Sequence, residues 1–241
     1  HNKKIFYAEA NYSNDEIREV NKVLKNQKHT LVSGINTKNL ENKVKEIFGM
    51  KYALMTNSGS SANLLGLASF NFKKGSEVIT PALTFSTTVA PIVQCGLIPH
   101  FVDINISTLQ IDTKCINKAI NKKTVAIMVP NLVGNVADWD NLRKIANKYK
   151  LKLIEDSADT IGYKYNLNKP YKKADMCTTS FYASHIVTGA GNGGVVCFNN
   201  FQNYRQALSL RSWGRRSSKY DESEDFNRRF DCKVDGINYD D

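Results

Sequence analysis

The chain has 241 residues, 41% hydrophobic and 23% charged, with a formal net charge of +10. That length suits one large domain, or one domain with part of another, and no apolar run approaches the ~20 residues of a membrane span. The basic residues are interleaved with Asn and acids, as at Asn21-Lys22, Lys25-Asn26 and Asn121-Lys122-Lys123, so neither a membrane nor nucleic acid is the expected partner.

Along the chain two kinds of segment alternate. Helical patterns are predicted at 14–25, 37–48, 60–70, 84–94, 113–120, 139–148 and 203–210. Short apolar runs at 52–55, 77–80, 98–102, 126–129, 152–154, 176–180 and 194–198 read as strands. Strands this short and apolar, separated by helices, predict an α/β fold with a mostly parallel central sheet and helices on both faces. The polar stretch 212–225 reads as a loop or excursion. The five cysteines (Cys95, Cys115, Cys177, Cys197 and Cys232) are scattered, with no metal-ligand spacing. Free thiols in a reducing, cytoplasmic setting and no metal site are expected.

Three places carry chemistry. The strand at 52–55 runs into Thr56-Asn57-Ser58-Gly59-Ser60-Ser61 and then a helix. Small residues before a helix leave backbone N–H groups open, and the helix dipole favours an anion there. An ordinary serine-capped turn reads equally well. The strand at 152–154 runs into Glu155-Asp156. In open α/β sheets ligands sit beyond the carboxyl ends of strands, and a buried carboxylate there would keep a pyridine nitrogen protonated. The plain alternative is a capping Asp before Ser157-Ala158-Asp159. Finally, Ser180-Phe181-Tyr182-Ala183-Ser184-His185 leads into a glycine-rich run ending at Gly193-Gly194, where glycines permit close approach of backbone to a ligand. His29 and His100 stand in contexts without such features and are read as structural or exposed.

In this order, the segments from Asn57 to Asn63, Pro81 to Phe85, Glu155-Asp156 and Ser180-Phe181 with the glycine-rich run resemble the DegT/DnrJ/EryC1/StrS sugar aminotransferase family. The resemblance covers nearly the whole chain, from about Phe6 onward. It implies a pyridoxal-phosphate-dependent transferase of fold type I, similar to aspartate aminotransferase. Residues 1–211 would form the cofactor-binding large domain, and 212–241 an excursion leading toward a smaller C-terminal domain that is missing from this chain. In aminotransferase members the residue four after the Ser-Phe phenylalanine is a lysine that holds the cofactor covalently. Here it is His185. That exchange resembles a narrower branch, the dehydratases that remove the C3 hydroxyl of 4-keto-6-deoxy nucleotide sugars. The segments 80–94 and Ser212-Trp213-Gly214-Arg215 resemble that branch too.

The resemblance implies a role for each matched residue. Gly59, Ser60 and Ser180 would hold the cofactor phosphate. Phe85 would stack on the ring, Asp156 would pair with its nitrogen, and Asp159 would lie near it. His185 would be the acid/base, since imidazole cannot form a lasting Schiff base and ordinarily titrates near pH ~6.5. The cofactor would be untethered pyridoxal or pyridoxamine 5′-phosphate. A homodimer, a nucleotide-sugar substrate and an amino donor such as glutamate are implied with it. One group of these dehydratases carries an iron–sulfur cluster, with three cysteines after the Trp-Gly-Arg and one beside the aspartate. Residues 216–226 contain no cysteine, and Ala158 stands at the fourth place, so no cluster is expected. The remaining readings are an aminotransferase with an altered catalytic residue, or a non-catalytic homologue that binds cofactor or sugar.

Overall fold

A computed structural model describes residues 4–6, 9–26, 31, 33–163 and 173–214, and the backbone of 233–234 and 237–238. His29, Arg215, the cysteine-free stretch 216–226 and Cys232 lie outside the described residues.

The described elements begin with two helices, α1 (Asn14–Asn26) and α2 (Ile35–Phe48). Then follow β1 (Tyr52–Thr56), α3 (Gly59–Ala68), β2 (Glu77–Pro81), α4 (Ser86–Gln94) and β3 (Ile98–Val102). A small hairpin of β4 (Ile104–Asn105) and β5 (Gln110–Ile111) precedes α5 (Thr113–Ala119). The chain continues with β6 (Thr124–Pro130), a short 3-10 turn at Leu132–Gly134, α6 (Trp139–Tyr149) and β7 (Lys152–Asp156). Then come β8 (Met176–Ser180), β9 (Gly194–Phe198) and α7 (Phe201–Arg211), and last a two-residue pair, β10 (Lys233–Val234) and β11 (Ile237–Asn238). All seven predicted helices and seven predicted strands are present. The β4/β5 hairpin, the 3-10 turn and the β10/β11 pair are the additions: two or three residues per element are too few for a periodicity to register.

Seven strands form one sheet in the order β1-β9-β8-β7-β6-β2-β3. The pairs β2/β3, β2/β6, β6/β7 and β7/β8 are parallel, and β9 is antiparallel to both β1 and β8. The reversal has a local cause. Only a loop joins β8 to β9, without the crossover helix that a parallel return requires.

Strand residues alternate between the two faces. Val78, Met128 and Ile154 pack on one side with Ala62 and Leu67 of α3, Ile92 of α4 and Ala207 of α7. Ile79, Ile127 and Leu153 pack on the other with Ile116 of α5 and Trp139, Leu142 and Ala146 of α6. On that same side Val44 and Phe48 of α2 cover Ala53, Cys177, Val195 and Cys197. Because both faces are covered, the central strands read as continuous apolar runs. The strand order also reverses. From β2 the chain moves outward through α4 to β3, and from β6 it moves the other way through α6 to β7. The two connections leave on opposite faces and open a crevice at the strand ends.

Candidate active site

Ser58 caps α3. Its hydroxyl accepts the Ser61 N–H at 3.1 Å and its carbonyl accepts the Ala62 N–H at 3.0 Å. The Ser58 hydroxyl also donates to the Ser61 hydroxyl at 3.1 Å, which commits the Ser58 side chain to the turn itself. The first-turn donors left open are the Gly59 and Ser60 N–H groups, with the exposed Ser60 hydroxyl beside them. Ser180, at the end of β8, closes against this turn: a Cβ on Gly59 would stand 2.6 Å from Ser180 Cβ. Glycine is therefore required at 59, and the Ser180 hydroxyl joins the same donor group. Two N–H groups and two hydroxyls at a helix N-terminus suit a phosphate dianion.

Asp156 ends β7 and is 7% exposed. No helix starts after it, so it is not a helix cap. Its Oδ1 accepts the Ala158 N–H at 3.2 Å, while Oδ2 accepts Asn63 Nδ2 and Thr88 Oγ1, both at 2.8 Å. Burial pushes the Asp156 pKa up, and the Asn63, Thr88 and Ala158 donors pull against it. Among the described residues no ion pair reaches this carboxylate. A buried carboxylate without a protein cation suits the protonated nitrogen of a pyridine ring.

The remaining predicted residues gather around it. Phe85 caps α4 and is 67% exposed, and it lies one turn before Thr88, whose N–H bonds the Phe85 carbonyl at 3.0 Å. Asp159 accepts the Val133 N–H through Oδ2 at 3.0 Å, and its Oδ1 stands 3.7 Å from His185 Nε2. That gap exceeds a hydrogen bond but places a carboxylate beside the imidazole. His185 Nδ1 is buried with no hydrogen-bond partner among the described residues. The loop that carries His185 is pinned at both ends by one residue: Phe181 N–H donates to the Gly193 carbonyl and Gly189 N–H donates to the Phe181 carbonyl, each at 2.8 Å. His185 N–H bonds the Tyr182 carbonyl at 2.9 Å, and the Tyr182 ring meets the imidazole edge-on.

All seven predicted residues thus lie at the carboxyl-end edge of the parallel strands. Anion donors, a buried carboxylate, a bare phenyl face and an imidazole fit a phosphorylated pyridine. Trp213, also singled out, is 79% exposed past the end of α7. His100 stands apart, bonded to Glu77 at 3.0 Å at the opposite edge of the sheet.

The profile of the DegT/DnrJ/EryC1/StrS aminotransferase family matches residues 11–238. The chain belongs to that family. It is 42% identical over 183 residues to the lipopolysaccharide biosynthesis protein RfbH of Salmonella typhimurium, a match that covers 73% of this chain and 42% of the relative. The structure of the E. coli GDP-4-keto-6-deoxy-D-mannose-3-dehydratase with bound hydrated PLP superposes with a TM-score of 0.79 at 34% identity, covering 88% of this chain and 56% of that one. An aminotransferase from Psychrobacter cryohalolentis superposes with a TM-score of 0.82 at 26% identity, covering 88% and 53%. The chain spans about half the length of the relatives it matches. Among the described residues, no helix is long and apolar enough to cross a membrane, and no group of three or more His, Cys, Asp or Glu residues could hold a metal ion.

Sequence reasoning gave no role to the groups that hold these residues. Glu155 is fully buried, and its Oε1 accepts Asn131 Nδ2 at 3.0 Å, Ser157 Oγ at 2.5 Å and Tyr163 OH at 3.0 Å. Asn131 in turn accepts the Ala137 N–H and Trp139 Nε1, each at 3.0 Å. This network ties the loop after β6 to the loop after β7, and the two meet at Val133 and Asp159. The available signal was the polar residue types themselves, Asn131 directly after the apolar strand β6 and Glu155 and Ser157 at the end of β7.

Proposed function

We propose that this protein uses pyridoxamine and pyridoxal 5′-phosphate to remove the C3 hydroxyl of a 4-keto-6-deoxy nucleotide sugar, as a dehydratase of deoxysugar synthesis of the O-antigen type. The observation that carries the proposal is His185, an imidazole beside Asp159 at the position where a lysine would tether the cofactor.

When bound, the cofactor supplies an amine that condenses with the C4 ketone and a ring that stores the electrons released at its own reactive carbon. The Gly59 and Ser60 N–H groups and the Ser60 and Ser180 hydroxyls bind its phosphate. The Phe85 ring covers one face by the offset contact aromatic rings prefer. Asp156 keeps the ring nitrogen protonated. His185 takes the proton from the cofactor carbon and returns it toward the departing C3 oxygen, so that water leaves. Asp159 supports the charged imidazole while it holds that proton. Overall one C3 oxygen is replaced by hydrogen, a two-electron reduction, and the electrons come from glutamate, which leaves as 2-oxoglutarate and ammonia. No iron–sulfur cluster is required. The substrate is a nucleotide sugar, and a homodimer is the working unit.

The test is incubation with pyridoxamine phosphate, glutamate and a panel of 4-keto-6-deoxy nucleotide sugars, read by mass spectrometry for loss of the C3 oxygen. The protein should convert at least one sugar. His185→Asn should lose turnover by about 10²-fold or more while binding cofactor with nearly unchanged affinity. Full turnover by that variant refutes the assignment. The likeness to an aminotransferase favours amino transfer as the second reading, which predicts an aminated sugar, from the protein itself or from His185→Lys.

A further inference from the structure

Asn63 is a polar residue in an apolar stretch of α3, 2% exposed, and its amide is fully committed. Its Oδ1 accepts Thr178 Oγ1 at 2.6 Å, and its Nδ2 donates to the Thr87 carbonyl at 3.2 Å and to Asp156 Oδ2 at 2.8 Å. The Thr87 carbonyl is open to it for a reason written in the sequence. In a helix that carbonyl would accept the N–H four residues on, which is Pro91 inside α4, and proline has none. A carbonyl only accepts, so it forces the amide nitrogen to its own side and toward Asp156. Thr88, fully buried on the same helix, places a second donor on the same carboxylate oxygen.

We propose that Asn63 and Thr88 are positioning residues that hold Asp156 ionised, with Oδ1 left to receive the cofactor ring nitrogen. Oδ2 carries two side-chain donors, whereas Oδ1 carries one backbone N–H at 3.2 Å. Donors on a carboxylate favour its charged form and weaken its pull on a shared proton. In a dry site that opposes the effect of burial, which alone pushes the Asp156 pKa up. With both donors in place the proton stays on the ring nitrogen, where it lets the ring store electrons. Without them it moves toward the carboxylate. The idea rests on the pyridine-cofactor reading above.

The test titrates the protein and the variants Thr88→Val, Thr88→Ser and Asn63→Leu with pyridoxamine phosphate labelled with ¹⁵N in the ring. Affinity and the ring-nitrogen chemical shift are both read. Thr88→Val has the shape of threonine without its hydroxyl, so it is the deciding variant if Asn63→Leu does not fold. Thr88→Val is expected to bind about tenfold more weakly, the lower range for a lost hydrogen bond to a charged group. Its ¹⁵N shift should move toward that of an unprotonated pyridine, and Thr88→Ser should restore both readings. Unchanged affinity and shift in Thr88→Val overturn the proposal. So does a lowered Tm with an unchanged shift, which would make the two residues packing alone. If the unsubstituted protein does not bind the cofactor, the cofactor reading itself falls.

Discussion

Gly194 opens β9 directly under the turn that presents Gly59 and Ser60. A Cβ added there would stand 2.3 Å from the Ser58 carbonyl oxygen, 2.4 Å from its carbon and 2.6 Å from Gly59 N. All three are backbone atoms, so no side chain can swing aside. Carbon–oxygen contacts normally begin near ~3.3 Å, and Gly194→Ala must therefore push the Ser58–Gly59 peptide away by about 1 Å. Overpacking of this kind costs about 1–3 kcal/mol. For a chain of this size that is a fall in Tm of about 2–12 °C. The same displacement tilts the Gly59 and Ser60 N–H groups off their anion, so affinity for pyridoxal phosphate should fall about tenfold or more. Gly75→Ala is the control. Gly75 has φ +81° with no atom within 4 Å of an added Cβ, at the other edge of the sheet. It should lose about 1–2 kcal/mol from backbone strain and bind the cofactor normally. Thermal melts and cofactor titrations of both variants separate the two effects. A Gly194→Ala protein that melts and binds as the unsubstituted one does would refute the argument that this strand supports the cradle by direct contact.

Two pH-dependent outcomes follow from buried and paired carboxyls. Burial raises the Glu155 pKa despite its donors from Ser157, Tyr163, Cys177 and Asn131. Its stabilisation is thus complete below the unfolded value of ~4.3 and is lost as pH rises through the raised folded value. Glu155→Gln keeps an acceptor for Asn131, Ser157 and Tyr163. It should stabilise the protein at pH 7–8 by about 1–2 kcal/mol, with the gain gone near pH 4, and a Tm difference that ignores pH would contradict this. Glu77 is the opposite case: hydrogen bonds from His100 and then Asn121 lower its pKa. Its stabilisation is present above ~4.3 and is lost as pH falls through the lowered folded value. Glu77→Gln should cost less than about 1 kcal/mol at pH 6 and nothing in strong acid, as read by urea denaturation across pH.

The order of elements was legible in the residues because both faces of the sheet are covered. Apolar runs such as 124–130 and 194–198 stand out against amphipathic helices such as 139–149, and each seven-fold set was recovered with ends that differ by a few residues. The residues of the candidate site were legible for a related reason. Gly59 and His185 follow a strand and Asp156 ends one, and in this architecture the strand ends share one edge. Local pattern, then, is enough to bring those three to that edge, whereas Ser60, Phe85, Asp159 and Ser180 are named only through the family resemblance. Strand direction and the joining of those side chains are long-range matters. That β9 runs against its neighbours follows from the short return after β8. That Asp156 meets Asn63, 93 residues away, and Thr88, 68 away, follows from α3 and α4 packing side by side over β7. A hydrogen bond between residues so distant leaves no periodicity in the chain, and only the folded sheet, by bringing the two helices to one strand end, determines which donors the carboxylate receives.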